Sequence, residues 1–211
     1  MAGQERGAAS PLLLYSLPWT GGNALYSRIA LFIDGGYLDH VLKWHGKAKI
    51  DYSKLAQQMA QGHLLLRTYY YHCLPHQSSY PSLEEKDYFS HAQRFFKRLN
   101  RLGSFTVREG KLAFRGIDER GFPVFEQKRI DVMLATDLVM HSTKKLITHA
   151  ALLTGDSDFL PALQIAQSEG VHITLYYSDG NDEIRPHDEL LDLVDDRKVI
   201  DAEFLHSIRR E

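Results

Sequence analysis

The chain has 211 residues, of which 44% are hydrophobic and 25% are charged, values close to those of an average soluble globular protein. A chain of this length buries about 70% of the surface that its unfolded form exposes, so we expect one compact domain. The single cysteine, Cys73, excludes an intramolecular disulfide and a multi-cysteine zinc site, and it fits a reducing, cytoplasmic environment. The uninterrupted apolar stretches are far shorter than the ~20 residues that a membrane-spanning helix requires.

Charge is distributed unevenly along the chain, although the net charge is only −2. Residues 86–129 carry eleven Lys and Arg against five Asp and Glu, whereas residues 179–211 carry five against eleven. This asymmetry is compatible with a phosphate-binding face opposite a solvated one. Two ordinary solvated surfaces also explain it, and charge alone slightly favours that second interpretation.

The first 27 residues differ in composition from the rest of the chain. They contain Pro11, Pro18 and two adjacent glycines, without the basic start and apolar centre of a signal peptide. We therefore interpret residues 1–27 as a flexible leader or an added extension, with a short segment docked on the domain as the alternative. Residues 28–211 are expected to form a single domain with an acidic tail.

Apolar strands and amphipathic helices alternate along the sequence. Continuous apolar runs predict buried strands, and apolar side chains spaced by three and four residues between capping residues predict helices. In chain order the predicted elements are strand Ile29–Ile33, helix Tyr37–Trp44, a helix from Asp51 or Ser53 to Gly62, strand Leu64–Cys73, a helix from about Pro81 to Leu102, helix Ile130–His141, strand Ala150–Leu153, a helix from Ser157 or Asp158 to Glu169, strand Val171–Tyr177 and a partly helical tail. Residues 105–114 and 123–127 are expected to form a hairpin or a protruding flap.

This alternation is typical of α/β proteins. Right-handed crossovers between successive strands give a parallel sheet with helices on both faces, so we predict a three-layer α/β sandwich around a mainly parallel sheet. In such sheets the functional cleft lies at the carboxyl ends of the strands. The two most apolar strands both end in an acidic turn, one at Asp34 and the other at Asp156 and Asp158. We therefore expect these carboxylates to meet at one edge of the sheet.

A helix packed beside the strand ends is expected to supply a further acid. Asp131 directly follows Lys128-Arg129-Ile130 at a helix start and is the first candidate. Asp137 lies six residues later and points about 120° away around the helix, so the two acids cannot both face one point squarely. Asp137 therefore ranks second, with a buried hydrogen-bonding role as its alternative.

Several carboxylates in one cleft require a cation, because like charges a few ångströms apart repel one another. Oxygen ligands without cysteine or arranged histidine select Mg²⁺ or Mn²⁺ and disfavour zinc. Such an ion activates water and neutralises charge on a phosphodiester under attack, as in nucleases and phosphatases. Each acid taken alone is more often a turn residue or a helix cap, and only their joint placement favours a metal site.

Three motifs in a fixed order resemble those of a known family. They are Ile33-Asp34-Gly35-Gly36-Tyr37-Leu38, then Lys128-Arg129-Ile130-Asp131 followed by Asp137-Leu138, then Thr154-Gly155-Asp156-Ser157-Asp158-Phe159. Together they resemble the NYN domain family, specifically its LabA-like branch, whose members are relatives of PIN-domain ribonucleases. The resemblance extends over residues 29–177, and the third motif is its most specific part. Many relatives place an asparagine soon after the first Asp-Gly, whereas this chain has Gly36-Tyr37.

The resemblance implies a PIN-like fold and endonucleolytic cleavage of RNA, expected to be single-stranded, with Mg²⁺ or Mn²⁺ as the cofactor. By motif position, the implied catalytic and metal-binding acids are Asp34, Asp131, Asp156 and Asp158, with Asp137 as a further metal-site acid. The turn and metal-shell positions within the same motifs are Gly35, Thr154, Gly155 and Ser157. A homodimer is compatible with the predicted flap.

Basic side chains near these motifs are candidates for contacts with RNA phosphates. They are Arg94, Lys97, Arg98 and Arg101 on the helix that ends near Leu102, and Lys128 and Arg129 just before Asp131. For the helix, the favoured alternative is that these cations only solvate its outer face. Residues 69–71 are three consecutive tyrosines in a predicted strand, and we expect them in the core rather than on a base-stacking platform.

The sequence thus predicts a metal-dependent endoribonuclease and leaves two alternatives open. A catalytically weak relative that binds RNA or a partner protein is favoured by Gly36-Tyr37 and by the near-neutral charge. A phosphatase acting on small phosphate esters is the third interpretation. His72 and His76, near the end of a predicted strand, are minor candidates for protonating a leaving group.

Overall fold

The structure, a computed structural model, describes residues 27–210. The predicted leader, apart from Ser27, and the final Glu211 lie outside the described residues. The elements are β1 (Arg28–Asp34), α1 (Gly35–Trp44), α2 (Tyr52–Ala60), β2 (Leu64–His72), α3 (Leu83–Leu99), β3 (Phe105–Glu109), β4 (Lys111–Ile117), β5 (Pro123–Lys128), α4 (Ile130–Thr143), β6 (His149–Leu153), a 3₁₀ turn (Ser157–Phe159), α5 (Leu160–Ser168), β7 (His172–Tyr177), α6 (Asp188–Leu193), β8 (Asp196–Val199) and α7 (Ala202–Ser207).

The central sheet has the strand order β3-β2-β1-β6-β7-β8, and every neighbouring pair of strands is parallel. This arrangement confirms the predicted α/β class and its mainly parallel sheet. From β1 the chain continues outward to β2 and β3, and from β6 it continues in the opposite direction to β7 and β8. The topological switch point therefore lies between β1 and β6, where open α/β sheets place their ligands.

The helices form two layers that cover the two faces of the sheet. In β1, Ile29, Leu31 and Ile33 pack on the side of α1, α2 and α3, whereas Ala30 and Phe32 pack on the side of α4, α5 and α6. Successive side chains of a strand point to opposite faces, so a continuous apolar run is required when both faces are covered. The five apolar residues of β1 are therefore the sequence signature of the middle layer of a sandwich.

The helix boundaries follow local capping chemistry. The side chain of Asp51 accepts hydrogen bonds from the first turn of α2, and Ser82 and Glu85 form a reciprocal capping box at the start of α3. The helix predicted from Ser157 or Asp158 begins instead as a 3₁₀ turn. It becomes α-helical at Leu160, where Pro161 occupies the first turn of α5.

The region expected to form a hairpin or flap divides into two parts. Residues 105–109 form β3, which extends the parallel sheet beside β2, and only β4 and β5 form an antiparallel hairpin. The division falls at Gly110, where an added Cβ would lie 2.8 Å from the sulfur of Cys73. The sequence pattern does not predict β8, because its four residues are mostly charged and lack a clear alternation. No helix among residues 27–210 combines the length and apolar character needed to cross a bilayer.

Candidate active site

A cavity of about 400 Å³ opens at the switch point, at the carboxyl ends of β1 and β6. We call it the acid pocket. Its acidic lining residues are Asp34, Asp131, Asp156, Asp182 and Glu183. The chain also contributes polar and basic side chains to its wall, namely His40, Gln127, Arg185 and His187. Acids that are distant in sequence therefore share one cavity at the edge that strand topology predicts for a ligand.

Asp34 links the end of β1 to the start of α1. Its Oδ1 accepts a hydrogen bond of 3.1 Å from the backbone N–H of Tyr37, and its Oδ2 accepts one of 3.5 Å from the hydroxyl of Thr154. Burial raises the pKa of the Asp34 carboxyl. The backbone amides of Tyr37 and Gly36 offset part of that rise, and the charge of Asp131 adds to it. Asp34 is therefore a largely enclosed carboxylate held at a fixed position.

The turn after β6 holds two further acids, Asp156 and Asp158. The backbone N–H of Asp156 donates to Thr154 Oγ1 at 3.2 Å, and the N–H of Asp158 donates to Asp156 Oδ1 at 2.8 Å. Because Thr154 bonds to both Asp34 and the backbone of Asp156, it ties the two strand ends together. Asp156 lines the acid pocket, whereas Asp158 is exposed and lies outside its lining.

Asp131 reaches the pocket from the first turn of α4. Partial burial raises the pKa of its carboxyl, and the negative charges of Asp156 and Asp158 raise that pKa further. Asp158 therefore acts on the pocket electrostatically although it does not line it. Carboxylates that destabilise one another in this way form an environment that favours a bound cation.

The donor chemistry of the acid pocket fits a hydrated hard cation. Within residues 27–210, no group of three or more His, Cys, Asp or Glu side chains is already arranged to hold a metal ion. A closed cage of protein ligands is therefore absent from this part of the chain. Mg²⁺ keeps several waters and commonly binds through only one or two carboxylates, so separated carboxylates without a thiolate suit it.

Asp137 lies away from the acid pocket, in an ion pair on the inner side of α4. Its Oδ2 accepts hydrogen bonds from Arg108 Nε at 2.9 Å and from the Tyr71 hydroxyl at 3.0 Å, and its Oδ1 accepts one from Arg108 Nη2 at 3.0 Å. Only 10% of the Asp137 side chain is exposed. The structure thus places Asp137 in the buried hydrogen-bonding position that the sequence analysis gave as its alternative.

The basic residues predicted to contact RNA fall into two groups. Arg94, Lys97, Arg98 and Arg101 are exposed on α3 and the turn after it, and none of them lines the acid pocket. Lys128 and Arg129 are exposed at the base of the hairpin, where they line a shallow depression together with Asp131. Only the second group therefore lies beside the acids. The tyrosines at positions 69–71 are buried, as predicted.

Sequence reasoning missed the second acidic loop, which follows β7 and brings Asp182 and Glu183 to the pocket. The composition of residues 179–211 predicts only an acidic tail. Since β7 is parallel to β1 and β6, the strand-end rule that selected Asp34 and Asp156 applies equally to the loop after β7. The position of β7 in the parallel sheet is therefore the signal that predicts Asp182 and Glu183 at the pocket.

Tyr37 holds this second acidic loop in place. Its hydroxyl donates to the carbonyl of Ile184 at 2.9 Å and accepts from the backbone N–H of Ser178 at 3.0 Å. The ring packs so closely on Gly155 that an added Cβ there would lie 2.5 Å from the ring. Tyr37 therefore joins three parts of the acid pocket, namely the turn after β1, the turn after β6 and the loop after β7.

The three-layer sandwich with acids at its switch point defines a PIN-like α/β domain. The sequence model of the NYN domain family matches residues 28–197, and the chain belongs to that family. NYN domains are generally ribonuclease-like nucleases. A crystal structure of a protein of unknown function from Vibrio parahaemolyticus shares this fold, with a TM-score of 0.58 and 19% identity over 84% of this chain and 94% of that one. No curated protein is significantly similar to this chain in sequence.

The raised pKa of Asp34 predicts how the stability of the metal-free protein depends on pH. The pKa of Asp34 in the folded protein lies above the ordinary value of 3.8, so between these two pKa values the folded state binds more protons than the unfolded state. The free energy of unfolding therefore falls as pH rises from 3.8 through the folded pKa. We expect Asp34→Asn, measured in chelator, to have its greatest Tm advantage over the wild type at neutral pH. The advantage should shrink as pH falls toward 3.8. A Tm difference that stays constant from pH 4 to pH 8 would contradict this assignment.

Proposed function

We propose that this protein is a divalent-metal-dependent endoribonuclease of the LabA-like branch, which hydrolyses phosphodiester bonds of single-stranded RNA in the acid pocket. The observation that carries the proposal is that Asp34, Asp131 and Asp156 come from three separate elements and line one cavity at the switch point. Membership of a family of nucleases supports the reaction class.

One or two of the carboxylates of Asp34, Asp131 and Asp156 would hold a hydrated Mg²⁺ or Mn²⁺, with Asp158 adding negative charge nearby. When bound, such an ion lowers the pKa of its water and neutralises charge on the phosphodiester. Thr154 keeps the Asp34 carboxylate oriented, because its hydroxyl donates to Oδ2. Lys128 and Arg129, adjacent to Asp131, would bind the phosphates on either side of the cleaved bond.

Binding of the metal is expected to stabilise the folded protein. At a metal concentration 100 times the Kd, binding contributes about 2.7 kcal/mol, which corresponds to a Tm increase of about 5–10 °C for a chain of this size. We expect Mg²⁺ or Mn²⁺ to raise the Tm of the wild type and to raise that of Asp34→Asn much less. Thermal scans with and without chelator measure both values. An equal increase in the two proteins would show that the metal binds elsewhere.

Cleavage of a labelled single-stranded RNA in Mn²⁺ tests the activity itself. A chromogenic phosphomonoester tested in parallel distinguishes a nuclease from a phosphatase, since only a phosphatase would turn it over without cutting RNA. The alternative of an RNA-binding module without catalysis is favoured by one observation, the lack of a preformed metal cage within residues 27–210. RNA binding without metal-dependent cleavage would establish that alternative.

A further inference from the structure

A second, larger cavity lies beside the acid pocket, between α3 and the β4–β5 hairpin. Its volume of about 950 Å³ lies near the upper end of the range for small-molecule sites, about 300–1,000 Å³. We call it the aromatic groove. Its aromatic wall residues include Tyr88 and Phe95 on α3, Phe114 and Phe125 on the hairpin, and His76 on the loop after β2.

The rings on the hairpin side form a small cluster that faces α3 across the groove. The ring of His76 lies 4.7 Å from that of Phe125, and Phe125 lies 5.7 Å from Phe114. Phe114 is nevertheless 54% exposed, and Tyr88 on the opposite wall is 69% exposed. Large aromatic side chains that stay open to solvent on both walls of one cavity are typical of a binding site.

The aromatic groove is adjacent to the acid pocket. Gln127 lines both cavities, and its side-chain nitrogen lies 3.0 Å from the position that a Cβ on Gly36 would occupy, directly beside the Asp34 turn. Asp39, on the next turn of α1, lines the groove and pairs with His72 at 3.1 Å. A polymer bound at the Asp34 turn would therefore reach the groove by passing the side chain of Gln127.

We propose that the aromatic groove binds the bases of single-stranded RNA next to the phosphodiester bond held in the acid pocket. This inference rests on the proposed function. Exposed aromatic rings stack on any base, so a groove of this kind binds single strands with little sequence preference. Arg98 lines the groove and forms no ion pair with another residue in the range 27–210, so its guanidinium is available for a phosphate. Single-stranded RNA offers flat bases to the rings and a phosphate to Arg98, while the two acids that line the groove, Asp39 and Glu85, are hydrogen-bonded to His72, Ser78 and Ser82.

Equilibrium binding of RNA by the full-length protein in chelator, where cleavage is prevented, tests the proposal. Stacking on one aromatic side chain contributes about 1–3 kcal/mol per base, so we expect Phe114→Ala and Tyr88→Ala each to weaken binding by about 5-fold to 150-fold. Phe114→Trp should restore the affinity. Phe122→Ala is the matched control, because Phe122 is 65% exposed on the same hairpin and does not line the groove.

A second oligonucleotide, of the same length but with base-free sugars, separates base binding from charge attraction. We expect the wild type and Phe114→Ala to bind it equally weakly. The inference is overturned if Phe114→Ala and Tyr88→Ala bind normal RNA like the wild type, or if they lose the same affinity for the base-free strand. It is also overturned if an aromatic, proline-rich peptide binds in the groove and RNA binding shows no dependence on bases.

The Phe114→Ala and Tyr88→Ala variants also show whether the groove assignment or the nuclease assignment is wrong. If the wild type cleaves RNA and neither groove variant raises KM, the nuclease assignment stands and the groove assignment falls. If no RNA is cleaved in Mn²⁺ but binding depends on bases and on Phe114, the groove assignment stands and the nuclease assignment falls.

Discussion

Asp34→Asn and Asp156→Asn are each expected to reduce RNA cleavage by about 100-fold to 10,000-fold. Each variant removes a negative charge that would hold the cation, and metal-ion stabilisation of a transition state contributes several kcal/mol. Asparagine keeps a side-chain oxygen that can accept the hydrogen bonds now made to Asp34 Oδ1 and Asp156 Oδ1, so the local turns should persist. Initial rates on a labelled RNA at saturating Mn²⁺ measure the effect.

Asp192→Asn is the matched control for these variants. Asp192 is an exposed acid on α6 and does not line the acid pocket, so the same change of charge there should leave the cleavage rate within about 2-fold. Circular dichroism should show all three variants folded. Undiminished cleavage by both Asp34→Asn and Asp156→Asn would assign the activity to a contaminant and remove the proposed function.

Asp137→Ala is expected to reduce stability rather than catalysis. The substitution leaves the Arg108 guanidinium and the Tyr71 hydroxyl without their shared acceptor. Breaking a buried ion pair costs about 3–5 kcal/mol. Because 37% of the Arg108 side chain is exposed and water can solvate it, we expect the lower end of that range. The free energy of unfolding should fall by about 3 kcal/mol, and the Tm by about 6–12 °C. Urea denaturation and thermal scans measure the loss.

The control for this prediction is Asp188→Ala, which breaks an Arg–Asp pair on the surface. The Asp188 side chain is 75% exposed, so its pair with Arg185 should contribute no more than about 0.5 kcal/mol to stability.

At a temperature where the Asp137→Ala variant is fully folded, the cleavage rate of that variant should stay within a few-fold of the wild type. A loss of cleavage equal to that of Asp34→Asn, with little change in stability, would instead place Asp137 among the metal-site acids.

The strand-end rule explains why part of the acid pocket could be predicted from the sequence. Asp34 and Asp156 follow the two most apolar runs in the chain, and parallel strands bring their carboxyl ends to one edge. The same reasoning failed for Asp182 and Glu183, because the composition of the acidic tail was given more weight than the position of β7. Local composition describes average exposure, whereas strand direction decides which loops meet.

Helix periodicity narrowed the choice between Asp131 and Asp137 but could not decide the role of Asp137. The angle between the two positions shows only that they face different directions. The partner of Asp137 is Arg108 in β3, whose residues the sequence pattern places in a hairpin or a flap. Without the correct position of β3, no argument from sequence could bring that guanidinium to that carboxylate.

Residues that are adjacent in the chain encode the α/β class, the strands buried on both faces and the acids that end β1 and β6, so these features are predictable without the fold. Features that join distant segments depend on the packing of the whole domain. These are the contact of Tyr37 with the loop after β7, the pair of Asp137 with Arg108, and the aromatic groove beside the acid pocket. Local patterns fix the conformation of a segment, but only packing of the complete chain fixes which side chains share a cavity.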